Sequence, residues 1–255
     1  MLPADATTRI GRPTVDLDAP AIALPALPSV FTLLYTVPPS PGSDNDRRLE
    51  WLLSKLPTPP RRIVYLSTSG VYGDRRGNPV REDDPPSPLT PRAKRRLAAE
   101  RHLTDWCAGR DCDLVILRVP GIYGPGRLGL DRIEAGAPVI RESEAPPGNR
   151  IHVDDLATCC VRALDESSQP GIYNVGDGDH RSGSWFTKTV ARLAMLEAPP
   201  EVSTAEAEKT FAEARLSFLR ESRVLDTSKM RDVLGIAPHY ADPEDGIRAS
   251  LVESA

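Results

Sequence analysis

The chain has 255 residues, of which 40% are hydrophobic and 27% charged, and its formal net charge at pH 7 is −4. This length suffices for one large α/β core with a small appended lobe, and the ordinary composition excludes a protein disordered throughout. A slightly acidic chain lacks the basic field that favours nucleic acids or anionic lipids, so we expect a small-molecule partner.

Cysteine usage bears on metal sites and on the cellular compartment. The four cysteines, Cys107, Cys112, Cys159 and Cys160, lack the C-x-x-C spacing of a structural zinc site, and only 4 histidines accompany them. We therefore predict no metal. Within the helical pattern around Cys159 and Cys160, one thiol is expected to be buried and the other partly exposed. The sequence shows no secretory signal, and free thiols are then consistent with the cytoplasm.

The segment from Ala19 to Ser43 carries no charged side chain, which is long enough to suggest a membrane span. Prolines interrupt its first half and end it at positions 38, 39 and 41, so that only Val30 to Val37 is a continuous apolar run. We therefore predict a buried strand in this segment and no membrane partner.

Strands and helices alternate from this point onward. Phe31 to Val37 is the first predicted strand, and leucines at i, i+3, i+4 and i+7 predict a helix after it, with Ser43 and Asp44 as cap candidates. The next predicted elements are a strand over Ile63 to Thr68, a helix over Pro91 to Trp106 and a strand over Leu114 to Val119. This order predicts a parallel sheet covered on both faces, with ligands at the carboxyl ends of its strands.

After Pro120 the sequence changes to loops and short elements. The further predicted elements are a helix that includes Leu156, a strand over Gly171 to Val175, and helices over Ser184 to Met195, Ala205 to Arg215, Asp226 to Leu234 and Pro243 to Val252. We predict a core over residues 1–120 and a mixed region over residues 121–255. In the mixed region the chain returns to the core, where it contributes one more strand and helices, and it also forms a small substrate lobe.

Seven segments match, in the same order, the landmarks of a known family. They are Ile63 to Gly73, Val80 to Glu82, Pro91 to Glu100, Arg118 to Arg127, Ile151 to Ala157, Tyr173-Asn174 and Arg223 to Asp226. Together they resemble the extended short-chain dehydrogenase/reductases of the NAD-dependent epimerase/dehydratase type. The run Ser217 to Arg223, with Arg92 at the family's tyrosine position, resembles an atypical bacterial subgroup of that family. The resemblance implies an α/β, Rossmann-like fold, NAD or NADP as cofactor, a small-molecule substrate and a homodimer.

The resemblance also implies roles for individual residues. The positions that match cofactor-binding residues of the family are Asp16, Leu17, Pro38, Pro39, Ser67, Thr68, Pro120, Gly121 and Ile122. The positions that match its substrate side are Ser69, Tyr123, Arg127, His152, Asn174 and Arg223. The plainer alternatives are a hydrogen-bonded structural histidine at His152, a turn residue at Asn174 and a surface ion pair at Arg223.

The family's catalytic Tyr-x-x-x-Lys pair is replaced here by Arg92 and Arg96. In the family's mechanism the phenol transfers a proton, Lys lowers its pKa, and a Ser or Thr, here Thr68, binds the substrate oxygen. Arginine stays protonated and cannot act as this acid, but it binds phosphate or carboxylate with two hydrogen bonds. The two arginines are therefore candidates for anion binding, with a solvated basic helix face as the alternative. Tyr72 and Tyr123 are candidate substitute acids, with packing as their alternative.

The beginning of the chain departs from the family as well. Met1 to Thr36 contains no Gly-rich strand-turn-helix of the kind that holds a dinucleotide pyrophosphate. Asp16 and Leu17 match the end of the family's third strand, so we predict that the first β-α-β unit is absent and that the Phe31 to Val37 strand has an exposed edge. The G-x-G-x-x-G at Gly124 to Gly129 follows a later strand, and we assign it to the substrate loop.

Functions from two classes remain open. The first is an atypical NAD(P)-dependent oxidoreductase or epimerase that acts on a small, anionic metabolite. The second is a binding or regulatory module that keeps the fold without the chemistry and does not bind dinucleotide. A truncated gene product without stable function is a third interpretation. The retained rim of Thr68, Pro120, Gly121 and Tyr123 favours the first class as ancestry, whereas the missing Gly-rich turn and Tyr-Lys pair favour the second.

Overall fold

The computed structural model describes residues 16–18 and 24–253, and a parallel four-stranded sheet lies at the centre of this part of the chain. The strands are β1 (Thr32–Tyr35), β2 (Arg62–Thr68), β3 (Pro79–Val80), β4 (Asp113–Val119), β5 (Gly121–Tyr123), β6 (Val139–Ile140), β7 (Arg150–His152), β8 (Gly171–Asn174), β9 (Glu201–Val202) and β10 (Val224–Leu225). The helices are α1 (Arg47–Lys55), α2 (Pro91–Cys107), α3 (Leu130–Glu134), α4 (Val153–Leu164), α5 (Gly183–Leu193), α6 (Thr204–Thr210), α7 (Glu213–Leu219), α8 (Ser228–Asp232) and α9 (Pro243–Glu253). The order of the central sheet is β1-β2-β4-β8, and β3 with β10, β5 with β7, and β6 with β9 form two-stranded parallel pairs.

Side chains of the central strands alternate between two covered faces, as expected for a parallel sheet. On one face Ile63 of β2 packs with Leu49 of α1 and Leu103 of α2. On the other face Val64 belongs to a cluster that includes α4 and, through Met230, α8. All five side chains are fully buried. The sequences of these strands are continuous apolar runs because both faces of the sheet are covered by helices.

The parallel register places the carboxyl ends of β2 and β4 side by side. Thr68 lies opposite Val119, and Arg118 of β4 lies opposite Asn174 of β8. A 3-10 turn over Ser69–Tyr72 follows β2 directly. Ligands of open α/β sheets bind at this edge, so the fold brings the predicted rim together.

The alternating order and the parallel sheet are confirmed, whereas two helices differ in their bounds. Helix α1 begins at Arg47 and not after Ser43 or Asp44, because the carboxylate of Asp46 accepts a hydrogen bond from the Leu49 amide at 3.1 Å and caps the helix. The single helix predicted from Ala205 to Arg215 is two helices, α6 and α7, because Phe211 adopts an extended conformation between them, with ψ of 146°.

Two further expectations are corrected. The helix predicted from Asp226 is shortened to α8, because the Asp226 carboxylate accepts the Ser228 amide at 2.9 Å and forms a turn ahead of the helix. Cys159 and Cys160 are both buried, with 0% and 7% of their surface exposed. Both thiols belong to the cluster between α4 and the sheet, so neither is partly exposed.

Strand β1 forms one edge of the central sheet. It pairs with β2, and no other strand in residues 24–253 pairs with it; Leu34 is 37% exposed. Within the described residues this edge is unpaired, as predicted for the Phe31 to Val37 strand, and residues 1–15 and 19–23 lie outside the described part of the chain. Asp18, in the turn at residues 16–18, forms an ion pair with Arg48 of α1. Of the helices described, none has the length and hydrophobicity needed to cross a bilayer.

Candidate functional site

A cavity of about 380 Å³ opens at the carboxyl ends of β2 and β4. The sheet side of its wall is formed by Thr68, Ser69, Pro120 and Gly121. The opposite side comes from α3, the segment before β7, the start of α5, and α7 with the residues after it. A volume in this range is typical of small-molecule sites, which lie between roughly 300 and 1,000 Å³. Three of the four residues predicted at the rim, Thr68, Pro120 and Gly121, therefore line one cavity together with Ser69, whereas the fourth, Tyr123, does not.

Thr68 keeps its hydroxyl at the cavity wall. Its Oγ1 accepts a hydrogen bond from the Gly70 amide at 3.1 Å, which caps the 3-10 turn after β2. The hydroxyl proton remains available to donate to a ligand. Gly73 ends the turn with φ of +67°, and a Cβ there would lie 2.0 Å from the Ser87 carbonyl oxygen, so only glycine fits. The close approach fixes the turn that presents Thr68 and Ser69.

Arg92 and Arg96 occupy different surroundings although both are on α2. Arg92 lines the cavity, and its guanidinium lies 3.5 Å from the ring centroid of Phe218, a residue of α7. Arg96 instead donates to the Leu66 carbonyl at 2.6 Å and to the Tyr65 hydroxyl at 3.4 Å. The two guanidiniums therefore do not act on one ligand group: Arg92 faces the cavity, and Arg96 secures α2 to β2.

Arg223 and Glu221 form a buried ion pair on the cavity wall, with N–O distances of 3.2 and 3.3 Å. Arg223 also donates to the Gly73 carbonyl at 2.6 Å, and burial lowers its pKa. The surface ion pair expected for Arg223 is thus a buried one, since its side chain is 11% exposed. Sequence reasoning quoted the run from Ser217 to Arg223 but missed Glu221, because a single Glu in a mixed run carries no distinctive spacing.

Arg132 and Arg215 add positive charge to the same cavity, and sequence reasoning missed both. Arg215 donates to the Pro138 carbonyl at 2.6 Å. Burial, and then the nearby charge of Arg132, lowers the pKa of Arg215 to about 10, which still leaves it protonated at neutral pH. Within the described part of the chain, neither arginine forms an ion pair with a carboxylate. This end of the cavity therefore attracts anions.

Tyr72 and Asn174 do not reach the cavity. Both are fully buried, and the Tyr72 hydroxyl donates to Asn174 Oδ1 at 2.7 Å. Burial raises the pKa of Tyr72 to about 12. The Asn174 amide group donates to the carbonyls of Val80 and Asp226, each at 3.2 Å. The pair therefore joins β8 to β3 and β10, and no ligand-facing surface is left on either side chain.

Tyr123, His152 and Arg127 lie away from the cavity. They are in or beside β5, α3 and α5, whose side chains form a separate hydrophobic cluster that we call the lobe. Tyr123 is 3% exposed and packs its ring edge-to-face on His152 and Phe186, at centroid distances of 5.1 and 5.3 Å. Burial raises the pKa of Tyr123. His152 Nδ1 accepts the Asp154 amide at 3.2 Å and caps α4, while its Nε2 lies 3.1 Å from Ser250 Oγ. Arg127 is exposed in the loop after β5.

The positions matched to cofactor-binding residues divide into three groups. Pro120 and Gly121 line the cavity with Thr68. Ser67 is turned inward, where its hydroxyl donates to Glu100, and Ile122 packs against the core. Two of the remaining positions, Pro38 and Pro39, follow β1, and Arg48 donates to the Pro38 carbonyl there. The other two, Asp16 and Leu17, immediately precede Asp18, which Arg48 also binds. No group of metal-ligating side chains was found among residues 16–18 and 24–253.

A family model described as the NAD dependent epimerase/dehydratase family matches residues 47–176. The chain belongs to this family. Protein YeeZ of Escherichia coli K12 is 30% identical over 189 residues, which are 71% of this chain and 60% of YeeZ. A UDP-glucose 4-epimerase of Mycolicibacterium smegmatis is 29% identical over 193 residues, which are 71% of this chain and 58% of that protein. The chain thus spans about 60% of the length of these relatives.

Solved structures of the epimerase/dehydratase fold superimpose on the chain. A functionally unknown conserved protein from Silicibacter pomeroyi has a TM-score of 0.76 and 28% identity, covering 91% of this chain and 80% of that one. MoeE5 in complex with UDP-glucose and NAD has a TM-score of 0.64 and 25% identity, covering 81% of this chain and 68% of MoeE5. The Rossmann-like α/β class is therefore shown.

The family name implies NAD, and the residues described here fit only one end of a dinucleotide. Thr68, Pro120 and Gly121, at positions that match cofactor-binding residues of the family, form an open rim at the sheet edge. The G-x-G-x-x-G at Gly124 to Gly129 is not a pyrophosphate cradle, because a Cβ on Gly124 would lie 2.6 Å from Val153 Cγ1, so protein already fills that space. Among the described residues, no Gly-rich turn joins a strand of the central sheet to a helix. The described residues therefore do not form a complete dinucleotide site.

Proposed function

We propose that this chain provides the substrate-binding part of an NAD(P)-dependent epimerase or oxidoreductase that acts on a nucleoside diphosphate sugar. The observation that carries the proposal is the pair Arg132 and Arg215, which has no described carboxylate partner and faces a cavity at the carboxyl edge of the sheet. Two arginines bind a diphosphate with several charge-assisted hydrogen bonds. Support comes from relatives named as UDP-glucose and UDP-arabinose epimerases and from MoeE5 with bound UDP-glucose.

In this proposal each wall of the cavity has its own task. Arg132 and Arg215 bind the diphosphate, and the Thr68 hydroxyl donates to the sugar, which lies toward the sheet. Arg92 covers the opening with its guanidinium on Phe218. Arg92 provides charge and shape but no proton transfer, because a guanidinium stays protonated at neutral pH.

The second candidate is a binding or regulatory module that recognises the same ligand class without converting it. Arg92 at the tyrosine position of the family favours this candidate, because the usual proton donor is absent there. Incubation with UDP-glucose and NAD, followed by chromatography of the sugar nucleotides, separates the two. A product that depends on protein and NAD favours the enzyme, and binding without product favours the module.

Isothermal titration calorimetry with UDP tests the proposal. We expect saturable binding, and we expect Arg215→Met to weaken it about 10- to 100-fold, since hydrogen bonds to charged groups contribute roughly 1.5–3 kcal/mol. The matched control is Arg101→Met, an exposed arginine of α2 that does not line the cavity. Absence of UDP binding to a cooperatively folded protein, or equal losses in both variants, would contradict the proposal.

A further inference from the structure

Glu221 has one carboxylate oxygen without a hydrogen-bond partner in the described structure. Its side chain is 3% exposed. One oxygen, Oε2, accepts from both terminal nitrogens of Arg223, while Oε1 is buried and unpaired. Buried polar atoms are nearly always hydrogen-bonded, and a charged acceptor left unpaired is costly. An unpaired carboxylate oxygen at a cavity wall is therefore a feature that calls for a donor from outside the chain.

The position of Glu221 shows where such a donor would come from. Glu221 lines the cavity at the carboxyl ends of β2 and β4 and also a neighbouring cavity of about 430 Å³, so that it stands at the boundary of the two. Arg92, the residue in the family's tyrosine position, lines both cavities as well and interacts electrostatically with Glu221. Glu221 is near the turn that carries Thr68, because its ion-pair partner Arg223 also donates to the carbonyl of Gly73, the residue that ends this turn.

Charge is distributed unevenly along the cavity. Arg132 and Arg215, whose charges act on each other, present positive charge that no described carboxylate balances, whereas Arg223 is neutralised by Glu221. Arg215 lies within α7 and Glu221 lies two residues beyond the end of that helix at Leu219. Both residues line the same cavity, so a ligand whose anionic group binds Arg215 also has Glu221 in the wall of its site.

We propose that Glu221, held in place by Arg223, accepts a hydrogen bond from a sugar hydroxyl of the ligand and is a specificity-determining residue of this site. The inference rests on the proposed function, since the anionic part of that ligand lies on Arg132 and Arg215. A carboxylate accepts and cannot donate, so the matching ligand group is a hydroxyl or an N–H group. A ligand without the hydroxyl leaves the carboxylate oxygen unpaired and binds less tightly.

The test compares UDP-glucose with UDP by calorimetry on the full chain. For Glu221→Gln we expect UDP-glucose affinity to fall about tenfold, while UDP affinity changes less than about threefold, because UDP lacks the sugar. Arg215→Met is expected to weaken both ligands equally. The control is Glu213→Gln, an exposed glutamate of α7 whose side chain is 75% exposed, and we expect it to change neither affinity.

Singly deoxygenated UDP-glucose analogues identify the hydroxyl. One analogue should bind the unchanged protein as weakly as UDP-glucose binds Glu221→Gln, and combining that analogue with the variant should cause no further loss. If Glu221→Gln does not fold, Glu221→Asp replaces it, since it keeps the charge beside Arg223 and shortens the reach. If UDP binds and neither Glu221 variant loses affinity for UDP-glucose selectively, the inference is wrong and the proposed function stands. If UDP does not bind, the proposed function is wrong.

Discussion

At the residue scale, the surroundings of each arginine separate structural from ligand-facing roles. Arg62 is fully buried and donates to the carbonyls of Ala163 and Ser168 at 3.0 and 2.9 Å, which secures the end of α4 to the start of β2. Arg118 pairs with buried Glu100 at 2.8 Å. The terminal nitrogens of these guanidiniums donate to groups within the fold. Arg132 and Arg215 retain donors at a cavity, and this difference identifies them as ligand-binding candidates.

Also at the residue scale, the burial of Asp177 predicts how the stability of the protein depends on pH. Asp177 is 5% exposed, its Oδ2 has no partner in the described structure, and burial raises its pKa to about 7. The Asp177 carboxyl titrates near 4 in the unfolded chain, so between about pH 4 and 7 the folded protein holds a proton on Asp177 that the unfolded chain has lost. The free energy of unfolding therefore decreases as the pH rises through this range. We expect Asp177→Asn to be more stable than the unchanged protein by about 2–4 kcal/mol at pH 8, and by little at pH 4.

Urea unfolding of both proteins at pH 4 and pH 8 measures this difference. The control is Asp232→Asn, an exposed aspartate on α8, for which the free energy of unfolding should change little at either pH. An equal gain in stability from Asp177→Asn at the two pH values would show that folding does not raise the pKa of Asp177.

At the element scale, α9 is fitted closely against the lobe. A Cβ on Gly246 would lie 2.4 Å from the Tyr123 hydroxyl oxygen and 2.9 Å from its ring. The Tyr123 ring is confined by His152 and Phe186, so it cannot yield easily. Gly246 is therefore required by close packing between α9 and β5, and no unusual backbone angle is involved.

The packing of α9 predicts an unusual response to alanine. In a helix interior Gly→Ala normally stabilises by about 1 kcal/mol, but Gly246→Ala should destabilise, because overpacking costs about 1–3 kcal/mol. The melting temperature measures the effect. Gly183→Ala at the start of α5 is the control, since its Cβ would meet no atom within 4 Å. Adding Tyr123→Phe should restore part of the loss; no loss in Gly246→Ala would contradict the packing argument.

At the scale of the whole molecule, the region after residue 120 is part of the central sheet. Strand β8 pairs with β4 over Val115–Arg118, and Asn174 joins it to the segments that hold the cavity wall. The boundary predicted at residue 120 therefore falls between segments that share a core, although a lobe is built outside it.

This shared core predicts one cooperative unfolding transition. Trp51 and Trp106 lie on the α1 and α2 side, and Trp185 lies on α5 in the lobe. Variants that keep only Trp185, or only the other two, should show the same urea midpoint by fluorescence, and circular dichroism should agree. Distinct midpoints for the two probes would contradict a single cooperative unit.

The sequence by itself determined the sheet, its parallel strands, the carboxyl-edge location of the site and the family. These follow from local signals, namely apolar runs such as Ile63 to Thr68, helix periodicity and motifs of fixed spacing. Only the tertiary structure decided which side chains meet there. Tyr72 and Asn174 match motifs of the family but bond to each other in the core, whereas Arg132 reaches the cavity from α3, and Arg215 and Glu221 reach it from α7 and the residues after it. Direction of a side chain and proximity across the chain depend on packing between elements, and no spacing within one element encodes them.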